Sequence, residues 1–452
     1  MATVDLLSVC ERVVKRARRL GATQAEAYGE RTREATVRVR DGEVEDLTQA
    51  EGKGLGLRVI VEGRLGFAYT SDFSDGAVDD FVRRAIALAK IAGKDASNKL
   101  PDERALKARN PELHGLFDPE VESLGTDWKI DAARTMERAG KAEDKRVANF
   151  ESVGAGDFVA DVAIHSSEGA HERYRGTYVY LFASPVARGD DGQLQTAYWV
   201  DYKRRLRDLE TPEEIGRIAA RRAGRMLGAK KVKTQRVPVV FEPTIAASFV
   251  AGLAAAVNGD QVRKGSSFLA GRLGERIAPD TVTVVDDGLL PGGISTAPFD
   301  GEGIATRRNV VIDRGVLAGF LYDTGTARKA RAKPTGNARR GYSTLPSVGV
   351  TNFHLQAGAT PAASIVKGVK NGFYVTAMLG RGANTVTGDY SRGANGLWIR
   401  DGELAEPVQE VTVAGNLLDM LQSIDAVGDD LDFRGSLGAP TLRFAELTVS
   451  GS

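Results

Sequence analysis

A chain of 452 residues is longer than one hydrophobic core ordinarily organises, so two or three packed units are expected. Hydrophobic residues at 42% and charged residues at 27% are an ordinary soluble balance, which excludes a disordered or fibrous chain. With 61 Lys and Arg against 60 Asp and Glu, the formal net charge is +1, so no whole-molecule field draws the chain to DNA or to an anionic membrane.

The single cysteine, Cys10, excludes an internal disulfide and a multi-cysteine zinc cluster, as suits a reducing cytoplasm. The opening MATVDLLSVCERVVKRARRL alternates apolar and charged residues at helical spacing and lacks the apolar core of a signal peptide. No run approaches the ~20 apolar residues that a membrane span needs. A soluble, cytoplasmic protein is expected.

In chain order, residues 4–20 are predicted as an amphipathic helix closed by Gly21. Period-two alternation predicts strands over 25–30, 35–40 and 44–50, with Asp41-Gly42 as a hairpin turn, and over 55–61 and 65–70 around Glu62-Gly63. Ser74 or Asp75 caps a helix over 77–92. After a polar linker over 97–118 the order recurs: a helix over 127–143, strands between 147 and 202, and a helix over 212–227. From Val237 onward, short β patterns alternate with Gly-rich turns, interrupted by one Ala-rich helix over 244–257 that Asn258-Gly259 ends. The predicted class is α+β. Two N-terminal helix-plus-antiparallel-sheet modules, 1–110 and 111–235, precede a mainly β C-terminal domain, 236–452.

The usual catalytic constellations do not assemble. Among the four histidines, His171-Glu172 opens like a zincin motif, but RYRG follows and no second His stands at helical spacing. His165 and His171 fall on one predicted strand, about 20 Å apart, too far to share an ion without a sharp bend. His114 sits in the linker and His354 in a strand. No G-x-S-x-G elbow occurs, and Cys10 lies in a charged helix without a placed base. GKGLGL near Gly52 runs into a strand, where a phosphate loop needs a helix N-terminus. The basic stretch over 217–236 has no aromatic residue and reads as a solvated helix face. Asp286-Asp287, Asp300 with Glu302, Asp389, and Asp429-Asp430 with Asp432 mostly adjoin glycines, where Asp serves turn chemistry.

Several strings nevertheless resemble one family. SSFLAGRLG from Ser266, APFDGEGIATR from Ala297, TGDYSRGANGLWIRDGEL from Thr387 and VTVAGNLLDM from Val411 are similar to the TldD/PmbA family, and to its TldE (PmbA) branch in particular. DGEVE and GLGLRV…GRLGFAYTSD suit its first module, so the resemblance covers essentially the whole chain. It implies a two-subunit peptidase in which a TldD partner holds zinc through an HExxxH helix and a later Cys, and admits unfolded peptides to an enclosed cavity. It also carries an older description, modulator of DNA gyrase. Placed on this sequence, the motif puts Val250 and Ala255 at the two histidines and Ala251 at the glutamate, and the tail DFRGSLGAPTLRF has no Cys. Alkyl groups offer a metal no lone pair and move no proton. The resemblance therefore implies no cofactor in this chain, zinc in the TldD-like partner, and large interfaces that would let the isolated chain form a homodimer. It suggests Asp300, Glu302, Arg307, Asp389, Tyr390, Ser391, Arg392 and Asn416 for the peptide cavity or interface. Two other readings stay open: an autonomous hydrolase built around Asp300, Glu302 and Asp389, and a binding protein acting on gyrase or DNA.

Overall fold

A computed structural model describes residues 5–107, 110, 113, 115–380 and 382–451. His114 lies outside the described residues. The first helix, Leu6–Arg19, begins where the Asp5 carboxylate accepts the Ser8 N–H at 3.0 Å and closes before Gly21, whose φ of +99° suits glycine. Its Leu6, Val9, Cys10, Val13, Val14 and Ala17 are buried.

Seven antiparallel strands follow in one sheet: β1 (Gln24–Arg40), β2 (Glu43–Val61), β3 (Arg64–Thr70), β4 (Val147–Ser166), β5 (His171–Arg188), β6 (Leu194–Thr196) and β7 (Trp199–Lys203). Asp41-Gly42 and Glu62-Gly63 make the hairpin turns with positive φ at both residues. The separate strands expected over 25–30 and 35–40 are one strand, and those over 44–50 and 55–61 are another. Polar residues in between do not break them because β1 is hydrogen-bonded on both sides, Thr32 standing opposite Gly52 of β2 and Ala160 of β4. Arg33 meets Asp157 at 3.1 Å, which lets a charged residue sit in a central strand.

The β1–β4 pairing, from Glu26↔Ser166 to Val39↔Val153, fuses two helix–strand–helix units into one sheet. The helices Leu6–Arg19, Asp75–Ile91, Thr126–Glu143 and Pro212–Gly224 cover one face, over two apolar cores. The opposite face receives the C-terminal domain, where Tyr28, Val162 and Ile164 meet Phe299 and Ile304. The β4–β5 hairpin supplies the sharp bend that the sequence does not reveal: His165 and His171 face each other across it, Nδ1 to Nδ1 at 3.0 Å.

In the C-terminal domain, Gln235–Phe241, Asn371–Leu379, Asp389–Arg400, Glu403–Asn416 and Leu442–Ser450 pair in sequence and close into a barrel through Thr412↔Ser450 and its neighbours. A second, six-stranded sheet is built around Val284–Asp287. The Ala-rich helix, Pro243–Ala256, is buried in the core that these two sheets share, with Phe249 5.3 Å from Phe444 between ring centres. Asn258 does not end it. Its Oδ1 accepts the Asp260 N–H at 3.0 Å and starts a separate turn, Gly259–Arg263. No helix among the described residues is long and apolar enough to cross a membrane.

Candidate functional site

The residues singled out in the sequence separate into two places. The first is the contact between the sheet and the C-terminal domain. Arg58 of β2 donates from Nη2 to Glu26 of β1 at 2.8 Å and from Nη1 to Glu302 at 2.9 Å, and Arg340 donates to the other oxygen of Glu26 at 2.6 Å. Glu26 and Glu302 are 0% and 1% exposed, so full charges are being held away from water. Burial works against the charged Arg58, but Glu26 and Glu302 hold its guanidinium more firmly protonated than usual. Burial would also lift Glu302, but Arg58 and the Thr324 N–H at 2.8 Å keep its carboxyl below the ordinary range. Asp300 accepts the backbone N–H groups of Glu302, Ile304 and Ala338 at 2.9, 3.0 and 3.0 Å. Burial and the nearby Glu302 charge still push its carboxyl up.

Glycines let the two parts approach. A Cβ on Gly54 would stand 2.1 Å from the Tyr342 ring and one on Gly56 2.2 Å from the Tyr342 carbonyl. The GKGLGL string is thus a smooth strand surface beneath the Arg340–Tyr342 segment, with its glycines needed for close packing.

The second place is the helix Pro243–Ala256 beside the barrel rim. Val250 is fully buried, Ala251 is half-buried and Ala255 is exposed. Five residues turn an α-helix by about 500°, which leaves positions 250 and 255 about 140° apart. They do not share a face. Gly252 lets Leu417 approach, since a Cβ there would stand 3.3 Å from Leu417 Cδ1. Arg392 reaches the helix from the neighbouring strand, donating from Nη1 to Ser248 Oγ at 3.1 Å, while its buried Nε has no hydrogen-bond partner. Tyr390 is buried in the barrel core with its hydroxyl 3.8 Å from Met378 Sδ, and Ser391 is exposed. Asp389 accepts the Thr387 hydroxyl at 2.6 Å. Asn416 pairs with Asp389 in register and caps the helix Leu417–Gln422 by accepting the Leu418 N–H at 3.0 Å.

A metal site can be tested on the donor set. From Pro243 to Ala256 no residue is His, Cys, Asp or Glu, so no choice of register supplies a zinc ligand from this helix. Arg392, which reaches this helix at Ser248, is itself a cation. These residues do not fit a zinc ion.

The remaining sequence candidates stand apart from both places. Arg307 is exposed, its carbonyl accepting the Gly288 N–H. His354 is buried, with Nδ1 3.1 Å from the Asn352 carbonyl. Asp286 is held by Asn337 and Thr351, Asp287 by the Leu289 N–H, Asp430 by Thr441, and Asp432 by Arg434. In the basic stretch, Arg221 pairs with Glu143 and Glu214, Arg222 with Glu242, Lys231 with Glu410 and Arg236 with Glu446. That is a neutralised surface. Sequence reasoning missed Glu26, Arg58 and Arg340. One signal was present, a charged Arg58 inside the apolar run LGLRVIV.

Comparison with known proteins gives the same assignment over all three parts of the chain. Family models described as PmbA/TldA metallopeptidase domain 1, central domain and C-terminal domain match residues 25–89, 119–227 and 234–451. Metalloprotease PmbA of Escherichia coli O157:H7 is 31% identical over 427 residues, 94% of this chain and 92% of that protein. The crystal structure of a candidate modulator of DNA gyrase from Bacteroides thetaiotaomicron VPI-5482 superposes with a TM-score of 0.91 at 29% identity over 100% of both chains. That of TldE from Thermococcus kodakarensis gives 0.90 at 23% identity, covering 98% of this chain and 100% of that one, a likeness of fold. Matches that run from the first sheet through the barrel, at an identity above 30% to a full-length relative, leave one reading: the chain belongs to the PmbA/TldD family.

Proposed function

We propose that this chain is the non-catalytic, zinc-free subunit of a two-subunit metallopeptidase that processes unfolded peptides, pairing with a zinc-bearing TldD-like relative. One observation carries the reading. The helix that the resemblance assigns to zinc is retained as a packed element, yet it carries no His, Cys, Asp or Glu to ligate zinc, and Arg392 sets a positive charge against it. The metalloprotease name of the Escherichia coli relative supports an activity of the complex.

The rival reading, an autonomous hydrolase around Asp300, Glu302 and Asp389, draws no support from the geometry. Asp300 spends both oxygens on backbone N–H groups, Glu302 is paired with Arg58, and Asp389 belongs to the barrel rim.

The test is purification of the chain alone and together with a TldD-like protein from the same source, with metal analysis and digestion of an unstructured peptide. The expected result is substoichiometric zinc in the isolated chain and cleavage only in the mixture. Cleavage by the isolated, metal-free chain at the rate of the mixture would overturn the proposal.

A further inference from the structure

The face of the sheet opposite the four helices is only partly covered, and between it and the C-terminal domain lies a cleft of about 500 Å³. That volume falls within the range of about 300–1,000 Å³ usual for small-ligand pockets. One wall is aromatic. Phe158 of β4 and Tyr178 of β5 stand opposite in register and stack with ring centres 4.7 Å apart, and Tyr174 extends the wall.

The charges in the cleft are unbalanced locally. Arg204 is 7% exposed and donates only to neutral carbonyls, those of Gly293 at 3.1 Å, Thr296 at 3.0 Å, Thr177 at 3.4 Å, and Ile294. Arg339 donates to the Ser295 hydroxyl at 3.2 Å. Neither guanidinium forms an ion pair with a carboxylate among the described residues. Burial lowers Arg204 from its ordinary value, and the like charge of Arg339 adds to that. Glu30, on the β1 side, accepts one long N–H contact, from Tyr342 at 3.4 Å, and no cation among the described residues forms an ion pair with it. Burial lifts its carboxyl. For the buried Arg204 and the partly buried Glu30, such unpaired charges are costly unless a ligand completes them.

We propose that this cleft binds a short peptide with free termini, its carboxylate held by Arg339 and Arg204, its ammonium by Glu30, and one side chain laid against Phe158 and Tyr178. The inference rests on the peptidase reading above and places part of peptide recognition in the subunit without metal. A zwitterion is the class of ligand whose two charges match both unpaired groups at once, and the ring wall adds affinity for an aromatic or apolar side chain.

The experiment is calorimetric titration of the isolated, folded chain with the tripeptide alanyl-tyrosyl-alanine, free, N-acetylated and C-amidated. The free peptide should bind, and blocking either end should weaken it about tenfold or more, the loss of one charge-assisted contact. In E30Q, acetylation should cease to matter while amidation still does; in R339Q, where Arg204 remains, the penalty for amidation should shrink while that for acetylation persists in full. Arg339 is exposed, so R339Q should fold, and a thermal melt checks both variants. Equal binding of free and blocked peptides would overturn the proposal, as would no binding of the free peptide at millimolar concentration. Neither partner nor zinc enters this measurement, so an inactive mixture would sink the function reading and leave this one standing.

Discussion

Where the C-terminal domain meets the seven-stranded sheet, Glu26, Arg58, Glu302 and Arg340 are buried as full charges. Along the helix Pro243–Ala256 the same domain presents alkyl groups and a few hydroxyls. The contrast separates two uses of polarity. Buried ion pairs seldom stabilise more than a well-packed apolar cluster would, because desolvation offsets the attraction. A network spanning β1, β2 and two C-terminal segments is therefore better understood as fixing how the domain sits on the sheet. The helix needs no such device, since Ile245, Phe249, Val250 and Leu253 already lock it in the core.

Breaking the network should have the largest effect. In R58A the carboxylates of Glu26 and Glu302 lose their shared partner while still buried, and stability should fall by about 3–5 kcal/mol, read from denaturant unfolding. R58M, which also removes the charge, should lose as much; a loss under about 1 kcal/mol would show that water reaches the network. On the helix, V250H should cost about 1–3 kcal/mol, because an imidazole replaces a methyl pair in a core without a hydrogen-bond partner for it. A stable V250H would show that this side of the helix is not as dry as its packing implies.

The sequence conveyed the two regions unequally. The helix was legible to within one residue, because an Ala-rich run preceded by Pro243 signals its own start and apolar pattern. The hairpin turns at Asp41-Gly42 and Glu62-Gly63 were equally local and equally plain. What was not legible depended on residues far apart in the chain. Arg58 and Glu302 are 244 positions apart, and nothing near either one names the other. The β4–β5 bend that joins His165 to His171 failed to register for a related reason. Spacing along a strand cannot reveal where the chain reverses, and Ser167-Glu168-Gly169 is a weak turn signal. Asp300 and Glu302 stand out in the sequence through their family string. Their burial against β2 comes only from the fold.

A smaller effect sharpens the comparison through pH. The Asp300 carboxyl is raised, so between its unfolded and folded values the native chain keeps a proton that the unfolded chain has released. Its contribution is complete below the ordinary carboxylate range and is lost as pH rises through the folded value. Glu302 is lowered and works the other way, its contribution being lost as pH falls. Between mildly acid and neutral pH the wild type should thus lose stability relative to D300N, with a difference in slope of up to about 1.4 kcal/mol per pH unit. Parallel slopes would mean that Asp300 is ionised throughout.

The smallest effect is expected at Ala255, the exposed end of the helix. In A255H the side chain reaches water, so the cost should be limited to helix propensity, about 0.7 kcal/mol or less. Zinc should not follow. Position 250 points into the core about 140° away around the helix, and position 251 offers only a methyl group. Even V250H/A255H would place its two imidazoles on different sides, with the Arg392 cation against the same helix. Metal analysis after zinc loading and dialysis should find the wild type, A255H and the double variant alike. Stoichiometric zinc in either variant would reveal a helix able to rewind locally and a metal site only one or two substitutions away, and the contrast between the two regions would then be one of side chains alone.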